Sequence, residues 1–178
     1  SGLGASALVW LMEVVQRLAW PKGDGFLQSV EAASGLHRFA VLAVAGLLVA
    51  VVSLVLRRPL GGHGTAGILE AIWFKEGFYS FRRAMLRGVM AIVAVALGAP
   101  LGREGALLST GAGFGSWLAR RTRLTPEQRR MLTACGAASG IAAAYNVPLG
   151  GALFGLEVLL GSFALELLGP IVVACVTA

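Results

Sequence analysis

Few residues of this 178-residue chain could do chemistry, and each stands in unusual company. Glu104 lies in Gly102-Arg103-Glu104-Gly105, in an otherwise apolar stretch. Taking a carboxylate out of water costs several kcal/mol, so an ionisable residue at such a place reads as functional by default. The plainer alternative is a structural ion pair with Arg103. His63 is bracketed by Gly62 and Gly64. Its imidazole can donate a hydrogen bond and, when protonated, adds charge; the alternative is a solvated loop histidine. Glu157 follows a long uncharged run, either as an internal carboxylate or as a helix-end group at the membrane interface. Cys135 and Cys175 sit in apolar stretches with no CxxC and no metal-ligand spacing, and read as small buried hydrophobes. His37 and His63 have no Ser or Cys nucleophile placed with them and no HExxH occurs, so an enzyme, a metal site and a cofactor are not expected.

The backbone offers more chemistry than the side chains. Short apolar helices broken by Gly, Pro or Asn are tolerated at membrane depth only where the backbone is buried in protein or lines a cavity. Their N-termini carry partial positive charge, which suits anions. Three such starts are expected: near Thr65, near Glu104 and near Val147. At the second, the amides of Glu104, Gly105 and Ala106 could hold an anion, and Arg103 either attracts it or supports the turn. Neither a P-loop nor a dinucleotide fingerprint is present. Gly111-Ala112-Gly113-Phe114-Gly115 mimics a glycine-rich loop, but it lies mid-helix with no strand before it, so close helix packing is the better reading.

The elements that position these residues follow from composition. The chain is 57% hydrophobic and 13% charged, with a mean hydropathy of +0.78. A soluble domain carries about 25% charged residues, and a disordered one is poor in apolar groups, so the bilayer is the remaining solvent. The length gives room for roughly six or seven spanning segments. The 25 glycines, about twice ordinary usage, imply close helix packing or backbone bared to a ligand. The net charge of +6 does not indicate nucleic-acid binding. Its basic residues cluster at Arg57-Arg58, at Arg82, Arg83 and Arg87, and from Arg120 to Arg130, each beside an apolar segment, as cytoplasmic ends require. Ser1-Gly2-Leu3-Gly4 is not a signal peptide, and both chain ends look cut from a longer protein.

Along the chain, a helix is expected over Leu3 to Trp20, with Glu13 and Arg17 paired four apart. Pro21 to Gly25 breaks it, and a mixed loop runs to about Gly35. Phe39 to Leu56, uncharged throughout, is the clearest spanning helix and stops at Arg57-Arg58-Pro59. A short amphipathic piece covers Ala66 to Phe74, an apolar segment Gly88 to Leu101, and a helix Ala106 to Ala119. In the polar loop from Arg120 to Arg130, Thr125 caps a helix with Pro126 at its first position and Gln128 closing the capping box. Met131 to Leu156 is split by Asn146-Val147-Pro148 into two half-helices, and a last apolar run starts near Phe163.

Three ordered motifs now carry a resemblance. Gly102-Arg103-Glu104-Gly105 resembles the Gly-Arg-Glu-Gly-Pro signature of the CLC chloride channels and chloride/proton antiporters. Gly136 to Gly151, ending Tyr145-Asn146-Val147-Pro148-Leu149-Gly150-Gly151, is similar to that family's Gly-Ala-rich, Phe-Asn-Ala-Pro-Leu-Ala-Gly segment. Gly61 to Gly64 falls where the family places Gly-Ser-Gly-Ile-Pro. The resemblance implies an all-α integral membrane protein, a CLC-like bundle of tilted and broken helices forming the first of two inverted repeats. Residues 1–178 would be one transmembrane domain, the N-terminal half of a homodimeric anion channel or transporter with one pore per subunit. The second half's anion motif has no counterpart here.

By the same resemblance Glu104 is the gating glutamate, which occupies an anion site when charged and leaves it when protonated. His63 stands at the anion-coordinating serine, with Gly64, Arg103, Glu104, Gly105 and Ala106 as the other anion-binding candidates. Ala106 replaces the signature's proline, and Thr65 and Ala66 replace the upstream motif's Ile and Pro. Glu157 aligns with a glutamate common to the family, and Val158 with the proton-relay glutamate of its antiporters. An apolar residue there carries no proton, which favours passive chloride conduction, gated by voltage or pH, over chloride/proton or fluoride/proton exchange. A non-transporting membrane scaffold is the reading from another class. A bacterial inner membrane is the expected location.

Overall fold

A computed structural model of the chain describes residues 2–20, 25–55 and 64–178. They fold into helices without a strand among the described residues. In chain order these are α1 (Gly2–Ala19), α2 (Phe26–Ala32), α3 (Gly35–Val55), α4 (Gly64–Phe74), α5 (Phe81–Ala96), α6 (Glu104–Arg121), α7 (Pro126–Tyr145) and α8 (Pro148–Phe154). A π-helical stretch, Gly155–Leu160, continues α8, and α9 (Leu165–Val176) follows.

Local chemistry explains most boundaries. Glu13 and Arg17 pair across one turn of α1 at 3.9 Å. Thr125 caps α7 as expected: its hydroxyl accepts from the Gln128 amide at 3.3 Å, and the Gln128 side chain accepts from the Thr125 amide at 3.1 Å. Asn146 ends α7 in the left-handed region at φ 57°, and Pro148 opens α8. Two boundaries differ from the sequence reading. Part of the expected loop after α1 folds as α2, whose Phe26 ring packs edge-on against Trp20 at 6.0 Å. α5 starts at Phe81, so Arg82, Arg83 and Arg87 lie within the helix rather than before it.

α7 is the centre of the molecule. It contributes Ala134 and Ala137 to a cluster with Ile68, Ile72, Leu108 and Leu159. On another side its Cys135, Ala138 and Ala142 meet Leu156, Ile171 and Cys175, so both cysteines are buried and free. A third cluster joins Ala144 to Leu8, Ile92, Ala106 and Leu107. The glycines make the tightest contact. A Cβ at Gly111 would strike the Gly136 carbonyl, one at Gly136 the Gly111 carbonyl, and one at Gly140 the Leu107 carbonyl. The backbones of α6 and α7 therefore touch, which is the packing expected of small residues between membrane helices.

The connection between α4 and α5 is clamped by buried hydroxyls. Ser116 of α6 and Thr133 of α7 both donate to the Gly77 carbonyl, at 2.9 and 2.8 Å, and the Ser116 oxygen accepts from the Tyr79 amide at 2.8 Å. Gly77 has φ 81°, and a Cβ there would lie 2.8 Å from the Arg129 backbone, so only glycine suits the position. Glu76, also at positive φ, is held by Arg129 at 2.6 Å.

By length and composition, α3 is the one described helix long and apolar enough to cross a membrane. Ala45 is its only buried residue, while Leu36, Phe39 and Leu54 are largely exposed. A helix apolar on every side and covered on almost none needs an apolar solvent. α4, α9 and α8 with its π-helical extension are apolar but shorter.

Candidate functional site

Arg103 precedes α6 and contributes no side-chain cap. The first amides of a helix have no acceptor within it, so those of Glu104, Gly105 and Ala106 are available at a terminus of partial positive charge. The Glu104 carboxylate folds back over Gly102, where its Oε2 fills the space a Cβ would take. Glycine at 102 is thus what allows that pose. Glu104 is half-buried and has no ion pair among the described residues, so the pairing with Arg103 is not formed. Arg103 turns instead to α7, donating from Nη2 to the Ala144 carbonyl at 3.1 Å and satisfying a group at that helix's C-terminal end.

Tyr145, the last residue of α7, lies beside the Glu104 carboxylate, near enough for the two side chains to interact. Tyr145 stands inside the motif quoted above but carries no local signal tying it to a residue forty-one positions earlier. Only the packing of α6 on α7 brings them together.

A cavity of about 310 Å³ lies beside this turn. Gly64 opens α4 on one side of it, and Gly102, Gly105 and Ala106 line the start of α6 on another. Arg87, Ser109 and Val49 of α3 also contribute to its wall. Two of the three expected helix starts therefore share one space. The third, at Pro148, lines a separate cavity with Asn146 and α1 residues, so it does not join them. His63 lies outside the described residues. Glu157 and Val158 are exposed on the π-helical stretch and line neither cavity. That stretch is braced by the Trp73 indole, which donates to the Leu159 carbonyl at 3.1 Å. No group of three His, Cys, Asp or Glu side chains able to hold a metal comes together among the described residues.

The starts of two helices thus line one space, and the half-buried Glu104 carboxylate folds over Gly102 at its wall. The model of the voltage gated chloride channel family matches residues 40–178. The chain is 34% identical, over 98% of its length, to a putative chloride channel protein ClcB-like of Ralstonia nicotianae, covering 42% of that protein. It is 32% identical over 99% of its length to the voltage-gated ClC-type chloride channel ClcB of Yersinia pestis, covering 44% of it. A protein of the same description from Escherichia coli is 37% identical over 65% of this chain and 27% of its own length. The chain thus spans less than half the length of the curated relatives it matches.

Proposed function

The chain belongs to the voltage-gated chloride channel family, and from that premise we propose that it forms the N-terminal half of a pathway carrying chloride across a bacterial membrane. One observation carries the reading: the starts of α4 and α6 line one cavity, and the Glu104 carboxylate folds over Gly102 at its wall. Bared amides of Gly105 and Ala106, with Gly64 opposite, stabilise an anion through the helix dipoles. The charged Glu104 side chain occupies the same positive potential and excludes the anion. Protonation removes that competition, releases the side chain, and lets the anion in. Arg103 ties the turn to α7 through the Ala144 carbonyl, and the neighbouring Tyr145 is proposed to restrain the carboxylate. His63, at the family's serine, is proposed to complete the anion's contacts from the segment preceding Gly64.

The reading favours passive conduction over proton-coupled exchange because Val158, next to Glu157, has no titratable group to relay a proton. Function as a homodimer in the inner membrane belongs to the same proposal, supported by exposed apolar side chains such as Leu149, Leu153 and Leu165 on α8 and α9. The test is chloride efflux from liposomes holding the full-length chain, native or Glu104→Gln, across a pH series. The native protein is expected to open as pH falls, and the variant to conduct at every pH. Identical pH profiles would remove Glu104 as the gate. A chloride gradient that drives proton movement would replace the channel with an exchanger.

A further inference from the structure

Between α4, the head of α5 and the end of α6 lies another cavity, of about 640 Å³. Glu70, Lys75, Ser80, Arg83, Arg87 and Arg120 line it, with Tyr79. Lys75 is paired with Glu70 at 2.9 Å. The guanidinium groups of Arg83, Arg87 and Arg120 have no carboxylate within pairing distance among the described residues. Three guanidinium groups and Lys75 therefore line one space against a single carboxylate, that of Glu70, among the described residues.

The head of α5 breaks a local rule at the same place. The first turn of a helix favours acidic side chains and a capping hydroxyl. Here no acidic residue is present, the Ser80 hydroxyl makes no cap bond, and Arg82 and Arg83 add charge to an already positive terminus. A local rule broken without internal compensation points to function, and a bound anion would supply the compensation. The space is far larger than a halide needs, and guanidinium forks match the oxygens of a phosphate.

The surroundings indicate where that phosphate comes from. A smaller cavity of about 340 Å³ shares Tyr79 and Arg120 and is walled by Phe81, Trp117 and Arg121. Phe81, Phe114 and Trp117 pack as a cluster with ring centres 5.4 to 5.9 Å apart, and the Arg121 guanidinium lies 4.3 Å over Trp117. Phe114 and Leu118 are exposed beside it. Aromatic and basic residues mixed in this way mark a membrane–water interface, and basic pockets between membrane helices take anionic headgroups.

We propose that the Arg83–Arg87–Arg120 cavity binds the phosphate of an anionic phospholipid, whose acyl chains run along Phe114 and Leu118. The site shares Arg87 with the smaller cavity at the start of α6, so its test varies Arg83 and Arg120 and reads binding rather than flux. The full-length chain is purified in mild detergent from membranes containing phosphatidylglycerol, and retained lipid is quantified by mass spectrometry. A parallel titration with inorganic pyrophosphate is followed by calorimetry. Native protein is expected to retain phosphatidylglycerol in preference to phosphatidylcholine. The double variant Arg83→Gln, Arg120→Gln is expected to lose it by roughly 10-fold or more. Arg123→Gln, an exposed change outside the cavity, is expected to retain it. Arg83→Lys, which keeps charge without the fork, is expected to fall between. Tight pyrophosphate binding without lipid retention would overturn the headgroup assignment in favour of a free phosphate. Equal retention by native and double variant, or none by either, would overturn the site. A double variant that loses chloride flux while keeping its lipid would likewise overturn it and leave the cavity as an approach for permeating anions.

Discussion

Gly136→Ala tests the contact on which the site rests. The added methyl meets the Gly111 carbonyl and sits 3.0 Å from the Gly111 carbonyl carbon and 3.1 Å from the Gly115 nitrogen. All three obstacles are backbone, so no rotamer change relieves them, and α6 must move away from α7. Overpacking of this kind costs up to about 3 kcal/mol. Alanine recovers about 1 kcal/mol of helix propensity. The net loss is about 2 kcal/mol, a factor of roughly 30 in the folded-to-unfolded ratio. In a full-length chain of this family that corresponds to a melting shift of about 2–4 °C. The comparison is Gly46→Ala in α3, where a Cβ has no heavy atom within 4 Å and no loss is expected. Thermal unfolding of both variants in detergent, monitored by Trp fluorescence, decides the matter. Separating α6 from α7 also moves Glu104 away from Tyr145, so gating should loosen in the same variant. A Gly136→Ala protein as stable as native, with Gly46→Ala unchanged beside it, would refute backbone contact between the two helices.

Other perturbations read neighbouring parts. Tyr145→Phe removes the hydroxyl beside Glu104, and chloride efflux at fixed pH is expected to rise; unchanged efflux would show that the phenol does not restrain the carboxylate. Thr133→Val keeps shape but leaves the Gly77 carbonyl with Ser116 alone, and should cost about 1 kcal/mol in thermal unfolding. A stability change within error would mean that Ser116 alone holds the turn. Thr125→Ala deletes one arm of the α7 capping box and should cost about 1 kcal/mol by the same measurement.

What the sequence made legible was chemistry confined to a few neighbouring residues. Thr125, Pro126 and Gln128 specify a helix start among themselves, and Asn146-Val147-Pro148 specifies a break. Composition pointed to the membrane and Glu104 stood out by its apolar setting, while the resemblance implied the CLC-like bundle of broken helices. What escaped depends on distant partners. α2 needs the Trp20 ring to pack against Phe26. The early start of α5 was hidden because Arg82, Arg83 and Arg87 read as flanks of an apolar run, whereas they are helical residues, two of which, Arg83 and Arg87, line a cavity. Glycine density announced close packing but not its partner: nothing in Gly111 names Gly136. Likewise Tyr145 meets Glu104 only because two helices touch, and the π-helical stretch after α8 has no signature in Gly155 to Leu160.

The looseness of α3 has a mechanical consequence. α4, α6 and α7 share a buried cluster, so the two helix starts at the cavity are fixed to one frame. α3, with Ala45 as its only buried residue, has no part in that cluster, yet its Val49 forms part of the cavity wall. A membrane that thins or thickens tilts its longest apolar helix first, since tilt relieves hydrophobic mismatch. Bilayer thickness would therefore reach the cavity through Val49 while the helix termini stay in place. Efflux that varies between short-chain and long-chain lipids, and ceases to vary once α3 is cross-linked to α5, would be the sign of a wall that responds to the thickness of its membrane.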